Sequence, residues 1–258
     1  MIIGAQKCGT TSLHYYLNQH PMFFGSQPKE LHFFDEKMPL GKSLEWYERH
    51  FSGPAHGLYY ESTPAYLYRP DVAERLHAYS STLKLVVILR DPVERAYSAY
   101  NHYRSRFEKH ADQGFEHRTR HQIPGIRIQE MFYEGRTVFP TFRETLEMEL
   151  AGAEQFYEPA ILRRGLYAAQ LQRYWQLFGR EQLLILGFKE LIQQPLTSLG
   201  KVSQHLGLND IDWGFVDVQA RNVKPYVGKM TAEDRQFLQD YYAEPNQQLL
   251  QLTGPLHW

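Results

Sequence analysis

A single cysteine, Cys8, among 258 residues excludes an internal disulfide. An excess of one charge is missing too. Lys and Arg number 28 against 29 Asp and Glu, a net of −1, so no global field draws nucleic acid or a polyanionic substrate. No apolar run approaches the ~18 residues of a membrane-spanning helix, and no leader-like segment stands out. Internal repeats and low-complexity stretches are absent, and no paired-carboxylate set or histidine cluster calls for a metal. These absences lead us to expect a cytoplasmic protein without membrane or nucleic-acid partners. With 43% apolar residues the chain can bury a core, and its length suits a single domain over 1–258. It starts directly on an apolar strand, Met1–Ile3, as a domain cut from a longer polypeptide would; a compact natural terminus is the alternative.

What is present begins at once. Gly4-Ala5-Gln6-Lys7-Cys8-Gly9-Thr10-Thr11-Ser12 lies between a short apolar strand and a helical segment. Its frame is close to the nucleotide-binding G-x-x-x-x-G-K-[ST], but Thr10 occupies the lysine position and the lysine stands earlier, at Lys7. Gly4 and Gly9 permit a tight turn. The first amides of the helix and its dipole favour an anion. Thr10, Thr11 and Ser12 add hydroxyls, and Lys7 adds a mobile charge. Such a loop suits an anion other than a magnesium nucleoside triphosphate. Cys8 inside it is read as a loop-filling residue, with a reactive thiol as the alternative.

A second motif stands about 80 residues on: Leu85-Val86-Val87-Ile88-Leu89-Arg90-Asp91-Pro92-Val93-Glu94. The continuous run 85–89 suits a parallel strand buried on both faces. Asp91 is a good N-cap, Pro92 fits the first helical position, and Glu94 has capping-box spacing. Arg90 then emerges where open α/β sheets bind ligands, or pairs with Asp91 or Glu94.

Strands are expected at 1–4, 21–25, 57–61, 83–89 and 183–188, alternating with amphipathic helices. That pattern predicts a three-layer, P-loop-like α/β fold, its central parallel sheet of about five strands flanked by helices. Residues 104–140 are polar, weakly periodic and broken at Pro124-Gly125. They read as a cover over an acceptor site or as a solvated excursion.

Together, Lys7-x-Gly9-Thr10-Thr11-Ser12 and the Arg90…Ser98 segment resemble the two signatures of sulfotransferases that use 3′-phosphoadenosine 5′-phosphosulfate (PAPS). The resemblance implies that Lys7, Gly9, Thr10, Thr11 and Ser12 hold the 5′-phosphosulfate and that Arg90 and Ser98 hold the 3′-phosphate. It also implies release of 3′-phosphoadenosine 5′-phosphate, without a metal. Arg164-Gly165-Leu166-Tyr167 resembles a region that contacts the nucleotide. The basic stretch from Arg221 through Lys224 to Lys229 resembles the late loop that closes over the 3′-phosphate.

Lys29-Glu30-Leu31-His32-Phe33-Phe34-Asp35 follows the second strand. It resembles the K-E-x-x-F-F-D segment of heparan-sulfate-type enzymes, whose glutamate is the catalytic base. Glu30 takes that role by resemblance, and His32 is placed to share or replace it. Lys7 serves the leaving oxygen. Read without the resemblance, Lys29 and Glu30 form a surface pair. Glu61-Ser62-Thr63-Pro64-Ala65-Tyr66 resembles an acceptor-side segment of the same enzymes, with Ser62 where those enzymes have lysine; Glu61 and Thr63 line the acceptor site or form a strand-end turn. That departure, with the near-neutral charge and the absence of a disulfide, counts against a heparan-like acceptor. The cytoplasmic character and the abrupt start resemble the sulfotransferase domains of polyketide and olefin synthases, which implies a 3-hydroxyacyl chain on acyl carrier protein. A carbohydrate, lipid or small-molecule alcohol is the alternative. From other classes, a P-loop kinase and a non-catalytic nucleotide-binding module remain open.

Overall fold

The computed structural model describes residues 1–35, 42–109, 131–133, 135–152, 159–208, 211–221 and 225–258. In chain order the elements are β1 (Ile2–Gly4), α1 (Thr10–Asn18), β2 (Phe23–Gly25), α2 (Leu44–Glu48), β3 (Leu58–Tyr60), α3 (Val72–Tyr79), β4 (Leu85–Leu89) and α4 (Pro92–Lys109). There follow α5 (Phe142–Ala151), α6 (Tyr167–Trp175), β5 (Leu183–Gly187), α7 (Phe188–Gln193), α8 (Pro195–His205) and α9 (Ala232–Thr253). They form two compact units. One comprises Met1–Arg90, Ala168–Lys224 and Leu250–Trp258; the other comprises Asp91–Tyr167 and Pro225–Leu249.

The first unit holds all five expected strands, and every pairing is parallel. β4 lies between β1 and β5, and its five residues are all buried. That is why its sequence is an unbroken Leu/Val/Ile run. β2 and β3 form a separate two-stranded sheet. One parallel bridge, Ile2 to Ser62, joins the two sheets, with the Ile2 amide donating to the Glu61 carbonyl at 2.8 Å. The expected sheet is thus present as three strands and two, stitched together at the residues after β3. Helix α1 packs on β1 and β2, while α7 and α8 pack on β5. Because all strands run the same way, the loops after β1, β2, β3 and β4 leave from one edge.

The second unit is built on α4, whose buried stripe Val93, Ala96, Tyr97, Tyr100, Tyr103 and Phe107 meets Phe139, Phe142, Leu146 and Tyr242. Burying each such large apolar side chain contributes about 1.5–3 kcal/mol. Asp91 caps α4 as its sequence implies, accepting from the Val93 and Glu94 amides at 2.8 and 3.2 Å. Thr141 and Glu144 form a reciprocal capping box on α5. Most of the polar 104–140 segment, read as a cover, falls outside the described residues. Its first part, 104–109, is the last turn and a half of α4, because the apolar stripe continues through Tyr103 and Phe107.

Candidate active site

Thr10, the first residue of α1, follows Gly9, which adopts a left-handed conformation at φ 87°. A Cβ there would be strained, and it would also lie 3.1 Å from Leu191 and 3.3 Å from Phe188. No side chain caps this helix and no acidic residue stands in its first turn, so its opening amides and dipole face the loop without a built-in anion. Lys7, half-buried, is also left-handed, at φ 68°. Arg90, at the end of β4, donates to the Lys7 carbonyl at 3.4 Å and lies over the Phe188 ring at 4.7 Å. The sequence motifs about 80 residues apart therefore place two cations at one loop. Each suits a phosphate or sulfate group. Cys8 is fully buried, its Sγ 3.6 Å from the Gln6 carbonyl oxygen, as a loop-filling residue.

The other anion-loop residues divide. Thr11 is half-buried, while Thr10 and Ser12 are buried. The Ser12 hydroxyl accepts the Arg221 amide at 2.9 Å, tying the late loop to the first turn of α1. The Arg221 guanidinium lies over the Tyr15 ring at 3.8 Å and pairs with Asp217. Lys224 lies outside the described residues. Ser98 and Tyr167 belong to the second unit, where both are buried; so is Arg164.

The segment after β2 carries a charge network. Lys29 Nζ lies 2.8 Å from Glu30 Oε1, His32 Nε2 lies 3.5 Å from Glu30 Oε2, and His32 Nδ1 lies 2.9 Å from Asp35 Oδ2. Burial alone would raise the Glu30 carboxyl, but the hydrogen bond from His32 and the Lys29 charge outweigh it and hold the pKa down at about 2. Burial would lower His32, but hydrogen bonds to Asp35 and Glu30 outweigh it and hold the imidazole up at about 10. Glu30 is therefore a carboxylate and His32 an imidazolium at neutral pH. Side chains 41% and 45% exposed leave water to screen the network. His32 is left-handed, at φ 53°. Among the described residues it and Lys7 are the two non-glycine positions with positive φ. Such strain clusters where a surrounding structure enforces it for function.

Two further residues were not singled out from the sequence. Asp35 was visible as the fourth residue of His32-x-x-Asp35, a spacing that brings it onto the imidazole. His14 had no sequence signal. Asn18 Oδ1 accepts from the Gly25 amide and the Tyr60 hydroxyl, so Asn18 Nδ2 donates to His14 Nε2 at 3.1 Å. Burial, then the Lys29 charge, pushes His14 down to about 4, so its imidazole is neutral at neutral pH.

Glu61 and Thr63 do not line an acceptor site. Both are fully buried. The Glu61 carboxylate faces inward, accepting from the Leu31 amide at 3.3 Å and from the hydroxyls of Tyr47, Thr63 and Tyr66 at 2.8, 2.5 and 2.7 Å. Burial pushes its pKa up, and these hydrogen bonds oppose the shift.

A parallel α/β sheet flanked by helices, with a glycine turn and the start of a helix following its first strand, is the fold of the P-loop-like class. The sulfotransferase-domain family model matches residues 1–224, and the chain belongs to the sulfotransferase family. It is 27% identical to the membrane-associated sulfotransferase kil1 of Dictyostelium discoideum, over 98% of this chain and 64% of that protein. To human heparan sulfate glucosamine 3-O-sulfotransferase 5 it is 29% identical, over 81% of this chain and 53% of that protein. The chain thus spans between half and two thirds of the length of these two relatives. The crystal structure of a sulfotransferase from Alicyclobacillus acidocaldarius superposes with a TM-score of 0.74 at 30% identity, covering 97% of this chain and 93% of that one. Among the described residues no helix is long and apolar enough to cross a membrane.

Proposed function

We propose that this chain moves a sulfuryl group from PAPS to a hydroxyl. The observation that carries the reading is the placement of Lys7 and His32, the two non-glycine positions with positive φ among the described residues, in the segments that follow the parallel strands β1 and β2. PAPS supplies the activated sulfuryl group. Gly9, Thr10, Thr11 and Ser12 at the start of α1 hold its 5′-phosphosulfate, and Lys7 adds the charge that stabilises the leaving bridging oxygen. Arg90 takes the 3′-phosphate, and Arg221 supports the same nucleotide. For Ser98, Tyr167 and Lys224 the assignment rests on the sequence motifs alone.

Glu30 takes the acceptor's hydroxyl proton as the new oxygen–sulfur bond forms and the sulfur–oxygen bond to the phosphate breaks. The electron pair of that bond leaves on 3′-phosphoadenosine 5′-phosphate, beside Lys7. Of the two groups considered as base, a carboxylate is able to accept a proton at neutral pH and an imidazolium is not. That supports Glu30 as the base, with His32 as its cationic partner and Asp35 orienting the ring.

The acceptor is a carbohydrate hydroxyl or a 3-hydroxyacyl chain on acyl carrier protein. The carbohydrate reading draws support from the 29% identity to an enzyme named for glucosamine 3-O-sulfation. Ser62, where heparan-type enzymes have a lysine, counts against a heparan-like sugar, and the carrier-bound reading rests on the resemblance to synthase sulfotransferase domains alone. A cytoplasmic location belongs to the same proposal, and fractionation of producing cells tests it. The deciding experiment is transfer of labelled sulfate from PAPS to matched panels of free sugars, glucosaminyl oligosaccharides, simple alcohols and 3-hydroxyacyl carrier proteins. Labelling of one panel names the acceptor class. PAPS binding without transfer to any of them would overturn the enzymatic reading in favour of a nucleotide-binding module.

A further inference from the structure

The Glu61 carboxylate occupies a place that surface chemistry does not explain. It is buried, it accepts from four donors, and none of those donors is a cation. Two of its connections lead straight to the segment that bears Glu30 and His32. The Leu31 amide donates to Oε1. The Tyr66 hydroxyl donates to the same oxygen and in turn accepts the amides of Phe33 and Phe34, at 3.1 and 3.3 Å. The backbone is therefore held on both sides of His32. A left-handed non-glycine residue persists where its neighbours over-determine it, and Leu31, Phe33 and Phe34 are those neighbours. Aromatic packing reinforces the grip: Tyr47, which donates to Oε2, stacks on Phe33 at 4.9 Å and meets Phe34 edge-on at 5.0 Å.

The backbone of Glu61 faces the other way. Its carbonyl accepts the Ile2 amide, and Ser62 bridges to Ile2. Ile2 begins β1, the strand that feeds the anion loop. One residue thus joins the strand behind the phosphate-binding loop to the backbone beneath the proton acceptor.

We propose that Glu61 is a positioning residue for sulfuryl transfer: with Tyr66 it fixes the Leu31–Phe34 backbone, and so Glu30 and His32, in register with β1 and its anion loop. The inference rests on the reading of Glu30 and His32 as the chemical pair, and its test separates the two. Glu61→Gln and Tyr66→Phe are compared with the unaltered protein and with Glu30→Gln. Amide hydrogen exchange reads the backbone without reference to activity. Leu31, Phe33 and Phe34 should exchange at least about tenfold faster in both positioning variants, with β4 amides unchanged. Turnover should fall about 10- to 100-fold, as for a small displacement of a catalytic group. Affinity for 3′-phosphoadenosine 5′-phosphate should stay within about threefold, because the anion loop keeps its own contacts.

Exchange at those three amides unchanged in Tyr66→Phe, or raised equally throughout the sheet in both variants, overturns the inference. Should Glu61→Gln fail to fold, Tyr66→Phe still decides. If Glu30→Gln and His32→Ala both retain activity, the functional reading fails, while the exchange measurement still settles whether Glu61 fixes this backbone.

Discussion

Glu30 and Glu61 are two carboxylates at the same sheet edge in opposite situations. Glu30 is 41% exposed and held by charges, Lys29 and His32, which drive its pKa down. Glu61 is buried and held by hydroxyls and one amide, and burial drives its pKa up. A group that must exchange a proton with an incoming molecule needs access and a partner whose charge responds. A group that must hold backbone still needs many short, neutral hydrogen bonds and no access to water. The contrast shows that a carboxylate's task is set by its partners rather than by its residue type.

The largest effect expected on this contrast is that of Glu30→Gln. It keeps shape and removes the proton acceptor, so turnover should fall by roughly 10²–10⁴, with nucleotide affinity hardly changed. Steady-state kinetics beside calorimetric nucleotide titration would check it. If His32→Ala abolishes turnover while Glu30→Gln keeps most of it, the roles of the pair are reversed.

Next comes Lys7→Ala. One charge serves both the bound phosphosulfate and the leaving oxygen, so its loss should weaken PAPS binding by about 1.5–3 kcal/mol and lower turnover as well. A folded variant with unchanged affinity and rate would remove Lys7 from the site. Arg90→Ala should be narrower. Binding of 3′-phosphoadenosine 5′-phosphate should weaken by about 1.5–3 kcal/mol, and that of the 3′-dephosphorylated nucleotide far less. Equal losses on the two nucleotides would place Arg90 elsewhere.

Smaller again is the effect of pH. With His32 held up at about 10 and Glu30 held down at about 2, the rate for free enzyme should show no limb near 6.5, the ordinary value for histidine. The stability terms follow the same signs. The His32 contribution is complete below about 6.5 and is lost as pH rises towards about 10. The Glu30 contribution is complete above about 4.5 and is lost as pH falls towards about 2. A kinetic limb centred near 6.5 would show that His32 works in its neutral form.

Much of this architecture was legible in the sequence for identifiable reasons. β4 announces itself by five consecutive apolar residues because it is covered on both faces. The start of α4 is written in Asp91-Pro92, a cap followed by a residue that needs no amide partner. The anion loop is spelled by Gly9, whose conformation no other residue adopts without strain. The division into three strands and two was not legible, because the Ile2–Ser62 bridge is made by backbone and leaves no side-chain pattern. Which of the two readings of Glu61 holds, acceptor lining or a strand-end turn, was not legible for a related reason. A glutamate in a strand-end turn is ordinarily exposed, and its partners Tyr47 and Leu31 stand 14 and 30 residues away. That 104–109 continue α4 was hidden by their charge, although Tyr103 and Phe107 keep the helical period.

The backbone at Lys7 leaves a thermodynamic signature that needs no substrate to observe. Most positions in a protein prefer alanine to glycine, because glycine enlarges the unfolded ensemble. A residue at φ 68° inverts that preference, since the left-handed region costs an ordinary side chain about 1–2 kcal/mol. Lys7→Gly should therefore melt above Lys7→Ala, by up to about 1 kcal/mol, although neither carries the charge. Selection for durability alone would have put glycine there, so the lysine marks a place where this fold gives up stability to keep an ammonium group at the anion loop.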